Sequence, residues 1–195
     1  MAGSPSYWSS PNVSPKRNYK WVMSFGAAGD SIPSWIVKTA SKPSFDIGEA
    51  SHSFINHTFF FPGKLTWSSI EVTLVDPLYP DATYEMVSRI KKAGYAYPNE
   101  PDMQAQTAAG ITFSKAASVG QLGEVVLRQL GPQGLHDGGQ AIDQWTLHNS
   151  WIKSVNFGSL SYDNEDITNI NLTLRYDWAV YNNPSKAGHD TLRVR

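Results

Sequence analysis

Residues 170–180 alternate without a break, and that run constrains the fold more than any other feature of the chain. Ile170, Leu172, Leu174, Tyr176, Trp178 and Val180 share one parity, while Asn171, Thr173, Arg175, Asp177 and Ala179 share the other. Successive side chains of a strand point to opposite faces, so this pattern predicts one long half-buried strand, with a core under one face and water on the other. A polar turn at Asn164-Glu165-Asp166 precedes it, and a shorter apolar run lies within residues 151–162. A polar-faced strand of that length points to a protein that works by shape and assembly rather than by chemistry in a pocket.

The remaining segments fit the same class. Residues 19–25 read as a first strand and residues 34–41 as a second, with a turn-rich stretch between them. Residues 42–63 form a long excursion that ends in Phe59-Phe60-Phe61. Residues 67–75 alternate again, with Ile70, Val72 and Leu74 opposing Glu71 and Thr73. One helix is expected, capped by Asp81, with Tyr84, Val87 and Ile90 beside Met86 and Ala93 as its apolar stripe. Lys91 and Lys92 suit the negative end of its dipole, and Gly94 is its stop. Residues 95–110 read as a long loop. Residues 124–130 and 142–149 then form a hairpin across a glycine-rich connection at 131–139.

Several strands and one helix, without βαβ alternation, predict a mainly antiparallel β-sandwich or barrel with one flanking helix. A chain of 195 residues suits one such domain. The expected division is an N-terminal arm at 1–18, a β domain at 19–181 and a C-terminal tail at 182–195. No apolar run approaches the length of a membrane span, and the first residues lack the pattern of a signal peptide.

Chemistry is hard to find. There is no cysteine, which removes thiol catalysis and thiolate metal sites. His52, His57, His136, His148 and His189 show no metal-ligand spacing. Asp163, Glu165 and Asp166 lack the spacing of a calcium loop and read as a self-capping turn. The glycines at 26–29 and 131–139 lack the features of phosphate loops. No catalytic residue, cofactor or metal is expected. The net charge of −1 gives no basic field to hold nucleic acid.

The aromatics carry more information. Trp21, Trp35, Trp67, Trp145, Trp151 and Trp178 all fall in expected strands, where most such side chains are core. A carbohydrate-binding sandwich would have a similar composition. Three phenylalanines in a row must point to both faces of a strand, so at least one of Phe59, Phe60 and Phe61 faces outward unless another subunit covers it.

In the order of its elements the chain resembles the tail tube proteins of contractile-tailed bacteriophages. The resemblance spans most of residues 17–181. It runs through RNYKWVMSF, SWIVKTASKP, FINHTFFFPGKL, WSSIEVTLVDP and the helix DATYEMVSRIKKAG, and is closest over GEVVLRQL, a loop, and DQWTLHNSWIKSVNFGSLSYDNEDITNINLTLRYDWAVY. Residues 155–160 stand where the family has a Val-Gly-Glu-Leu-like step, with Ser159 in place of its usual acidic residue.

The resemblance implies hexameric rings that join their sheets into an inner barrel, stack into a tube inside a contractile sheath, and let genome DNA pass through the lumen without specific binding. The implied partners are further copies of this chain, the sheath protein, and baseplate and tube-terminator proteins. The implied place is the virion tail, assembled in the host cytoplasm. A baseplate tube initiator or a secretion-system tube protein shares the fold. Phe45, Ile47, Phe54, Phe59, Phe60 and Phe61, in the long excursion, are the expected contacts between subunits and rings. Glu71, Thr73, Asn171, Thr173, Arg175 and Asp177, with Asn169, are the expected lumen wall, where polar groups of balanced charge would let DNA slide.

Overall fold

In a computed structural model of the chain, residues 16–26, 32–95, 97, 113–131, 141–163 and 165–183 are described. Most of the expected arm, the loop at 98–110, the glycine-rich connection and the tail beyond 183 lie outside these residues.

Two antiparallel four-stranded sheets face each other across one core. The first has the order β1 (Trp21–Phe25), β6 (Val125–Leu130), β7 (Ala141–His148), β10 (Trp178–Asn182). The second has the order β2 (Val37–Ala40), β5 (Ile70–Val75), β9 (Asn169–Arg175), β8 (Trp151–Asn156). A third, two-stranded sheet is the hairpin of β3 (Phe45–Phe54) and β4 (His57–Trp67). The mainly β, antiparallel architecture expected from the sequence is present.

The core follows from the alternation. Ile70, Val72 and Leu74 of β5 pair with Leu174, Leu172 and Ile170 of β9, so six branched side chains form one inward surface, and all are buried. Met23, Val125, Leu127 and Leu147 meet them from the other sheet. Trp21, Trp67 and Trp145 close the margins of the core as half-buried rings.

Several expectations need correction. The long final strand is two strands in different sheets. β9 ends at Arg175, the chain crosses between sheets at Tyr176-Asp177, and β10 begins at Trp178. The crossing also reverses the phase. Ala179 packs on the core while Trp178 is exposed, so the apolar parity of residues 170–176 becomes the outward parity after the corner. The backbone N–H of Asp177 donates to the carbonyl of His148 at 3.0 Å. Asn149, at φ 55°, turns β7 into β8 at the same corner.

Residues 67–75 also divide into two strands, because Ser68 and Ser69 interrupt β4 and β5. Trp35 lies in a short 3-10 turn, Ser34–Ile36, and is exposed rather than held in a strand.

Among the described residues two helices flank the sandwich, where one was expected. The expected helix is α1, Ala82–Lys92, and the carboxylate of Asp81 accepts from the Tyr84 N–H at 2.8 Å as its cap. Asp76 adds a second cap that pattern reading missed, accepting from the N–H groups of Ala82 and Thr83 and from the Thr83 hydroxyl. Gly94 closes the helix at φ 119°, where a side chain would be strained. The buried stripe is Ala82, Met86, Arg89 and Ala93, while Tyr84 is exposed. The second helix, α2, is Lys115–Leu122, capped by Ser114 accepting from the Ala117 N–H at 3.0 Å. The Arg89 guanidinium joins the two helices by donating to the Gln121 carbonyl.

Candidate assembly surfaces

The outward face of the second sheet is built by β5 and β9 together. Their register sets Glu71 opposite Thr173 and Thr73 opposite Asn171. The Thr73 hydroxyl donates to the Asn171 side-chain oxygen at 3.0 Å. Asn169 extends the row and accepts from Lys38 at 3.4 Å. On the far side of β9, Ser154 lies opposite Thr173, Asn156 opposite Asn171, and Trp151 opposite Arg175.

The result is a polar wall whose charges, Lys38, Glu71 and Arg175, nearly balance. Five of the six expected wall residues, Glu71, Thr73, Asn171, Thr173 and Arg175, share this face. Asp177 does not belong to the row. It lies beyond the end of β9, where Lys115 and Asn149 donate to its carboxylate at 2.6 and 2.7 Å. Those hydrogen bonds hold it below the usual carboxylate range, so it fastens the corner to the start of α2.

The hairpin is the second surface. Its strands have 10 and 11 residues, so at about 3.3 Å per residue it reaches roughly 33 Å. Every residue of β3 is exposed. The six expected contact residues are 47–64% exposed, so about half or more of each side chain is left open by the described residues.

Pairing divides the six residues between two faces. Phe45 and Ile47 stand opposite Trp67 and Leu65, on the face that also carries Phe60, while Phe54, Phe59 and Phe61 take the reverse. The inference from three consecutive phenylalanines holds in the geometry. At the root, Phe45 meets Trp67 edge-on at 5.3 Å, and Trp67 in turn meets the buried Tyr176 at 5.9 Å. The hairpin is thereby anchored to the core at one end only.

A bulge between Ile47 and Glu49 bends the ribbon. A side chain at Gly63 would stand 2.9 Å from the Gly48 carbonyl oxygen, so the close approach there requires glycine. The turn at the tip places Ile55 at φ 53°, a costly conformation for a β-branched residue.

A third feature went unread in the sequence. Between the edge of β2 and the strands β1, β6 and β7 lies a cleft of about 630 Å³, lined by Trp21, Trp145, Lys42, Gln129 and Asp143 among others. Asp143 is 4% exposed. Lys16 and Asp143 form an ion pair, and the Tyr181 hydroxyl donates to Asp143 at 2.6 Å. Burial pushes the Asp143 carboxyl up, but the hydrogen bonds from Lys16 and Tyr181 outweigh it and hold the group below its ordinary value. Lys42 donates to Gln129 at 2.8 Å. Among the described residues no three His, Asp or Glu side chains are gathered as a metal site would require.

No protein-family model matches the sequence, and no curated protein does. Solved structures do. A chain of the tube-terminating cap of the anti-feeding prophage matches with a TM-score of 0.59 at 13% identity, over 88% of this chain and 93% of its own. A chain of the anti-feeding prophage baseplate gives 0.58 at 12% identity, over 88% and 97%. A chain of the sheath-tube complex of an extracellular contractile injection system gives 0.54 at 18% identity, over 87% and 92%. The chain therefore has the fold of contractile-apparatus tube, cap and baseplate proteins, as the tail tube resemblance implied.

Proposed function

We propose that this chain is a structural subunit of a contractile tail or injection apparatus, assembling with copies of itself into hexameric rings that stack as an inner tube. The observation that carries the reading is the hairpin, which bears apolar side chains on both faces and is anchored to its own domain only at the root. A lone two-stranded hairpin is marginally stable in water, and an apolar surface of this kind marks an interaction site. Neighbouring copies would cover it and would also pair the outer strands β2 and β8, which a closed ring leaves without free edges.

In this arrangement the Glu71, Thr73, Asn171, Thr173 and Arg175 face lines the lumen. A hydroxyl- and amide-rich wall, with Lys38 and Arg175 set against Glu71, offers a passing polymer no continuous charge to hold it. The sheath protein and the proteins that begin and end the tube would be its partners, and phage DNA or an injected protein the traffic. Fold likeness to both tube and end pieces leaves two positions within this class, the repeating tube subunit or a ring at the tube's end.

The test is negative-stain electron microscopy of purified protein alongside light scattering. Long hollow rods identify the repeating subunit, and rings that do not stack identify an end piece. A compact monomer at every concentration overturns self-assembly. One observation favours a second reading: the cleft with Trp21 and Trp145 at its wall and Lys42, Gln129 and Asp143 beside them has the aromatic and polar lining of a sugar site. A monomer retained on glycan resin and released by free sugar would establish that reading.

A further inference from the structure

The two faces of the β3–β4 hairpin differ chemically at its outer end. Ala50 pairs with Phe61, His52 with Phe59, and Phe54 with His57. Directly paired residues of antiparallel strands point the same way, so these share one face, and His57 meets Phe59 edge-on at 4.7 Å. The opposite face carries Ser51, Ser53, Thr58 and Phe60, where the Ser53 and Thr58 hydroxyls are 3.0 Å apart. Residues 50–61 contain no Asp, Glu, Lys or Arg. His52 and His57 are thus the titratable side chains of this end. The other charged groups of the two strands are Asp46 and Lys64 nearer the root and Glu49 on the reverse face.

We infer that the hairpin face bearing His52, Phe54, His57, Phe59 and Phe61 is a contact between copies of this chain that closes when both imidazoles are neutral and opens on acidification. The inference rests on the tube reading, since stacking supplies the second copy. The outer end of this face, residues 50–61, has no carboxylate, lysine or arginine to bury beneath a neighbouring copy, and its apolar rings gain by leaving water. Histidine changes charge between about pH 5 and 8. Covering an imidazole with apolar side chains of a neighbouring copy disfavours its charged form. The free subunit then binds more protons than the assembled one. The sign follows: association is full above the histidine range and weakens as pH falls through it, by up to about tenfold per pH unit for each histidine that must lose a proton.

The experiment follows assembly of the full chain from pH 8 to pH 5 by sedimentation and light scattering, with circular dichroism to confirm that subunits stay folded. The expected result is dissociation of the wild type into folded smaller species on acidification, reversed on return to pH 8. The His52→Gln/His57→Gln variant is expected to stay assembled throughout. A wild type that remains assembled at pH 5, or a variant that dissociates over the same range, overturns the inference and leaves the tube reading intact. A chain that assembles at no pH overturns both. The Phe59→Ser/Phe61→Ser variant separates a further case: unchanged assembly and pH response would assign this face to a different occupant.

Discussion

The sandwich body and the β3–β4 hairpin use the same alternating strand chemistry and differ in what covers it. In the body, Leu174 is 0% exposed because β5, β9 and the opposing sheet enclose it. In the hairpin, Phe60 is 64% exposed although its strand is longer and as well paired. Pairing satisfies the backbone in both regions, but only the body buries its side chains. The difference separates two levels of structure: the body encloses its own apolar side chains, whereas the hairpin leaves its own open, and on the proposed tube reading other copies would supply the cover.

The sharpest way to break this comparison is to make the hairpin polar. With Phe59, Phe60 and Phe61 all changed to Ser, assembly is expected to disappear in light scattering. The urea-unfolding free energy of the subunit should move by no more than about 0.5 kcal/mol, as for surface sites in general. A large loss of subunit stability would mean that the hairpin belongs to the body after all.

Leu174→Ala tests the other side. It should cost about 2–5 kcal/mol by leaving a cavity in an enclosed core, measured by the same urea titration.

Asp143→Asn is expected to cost about 1–3 kcal/mol, since it weakens the buried hydrogen bonds to Lys16 and Tyr181. Its pH signature is also specific. A carboxylate held below its ordinary value of 3.8 stabilises the fold above that pH, and the contribution is lost as pH falls through the lower folded value. The wild type should therefore lose stability below about pH 4 more steeply than Asp143→Asn does.

Asp81→Ala should cost about 1 kcal/mol in thermal unfolding as a lost helix cap. Asp76, which holds the neighbouring N–H groups, keeps that loss small.

How much of this was legible in the chain depends on which forces act locally. β1, β5, the β6–β7 pair and α1 with its Asp81 cap were readable because period and capping are local signals. The corner at Tyr176-Asp177 was not. Trp178 and Val180 continue the apolar parity, and no glycine or proline marks the place where the chain changes sheets and Ala179 turns inward. The helix α2 was hidden because KAASVGQL has little amphipathic contrast and a glycine at 120; Ser114 was the usable signal. The stripe of α1 was misplaced at Tyr84, since Arg89 is buried through its bond to Gln121, a tertiary partner that periodicity does not encode.

The surfaces divide in the same way. Alternation placed Glu71, Thr73, Asn171, Thr173 and Arg175 on one face, and three adjacent phenylalanines required an outward ring. Asp177 was missed with the corner. The cleft at Asp143 was missed because it joins residues from Lys16 to Tyr181, far apart in the chain.

The most direct measurement is amide hydrogen exchange over residues 45–67, compared between assembled protein and dissociated folded subunits. If neighbouring copies complete the hairpin, its amides should slow by at least about tenfold on assembly, equivalent to about 1.4 kcal/mol of added local stability, while β5 and β9 exchange equally slowly in both states. Hairpin amides that exchange at the same rate in both states would contradict the claim that other copies cover it.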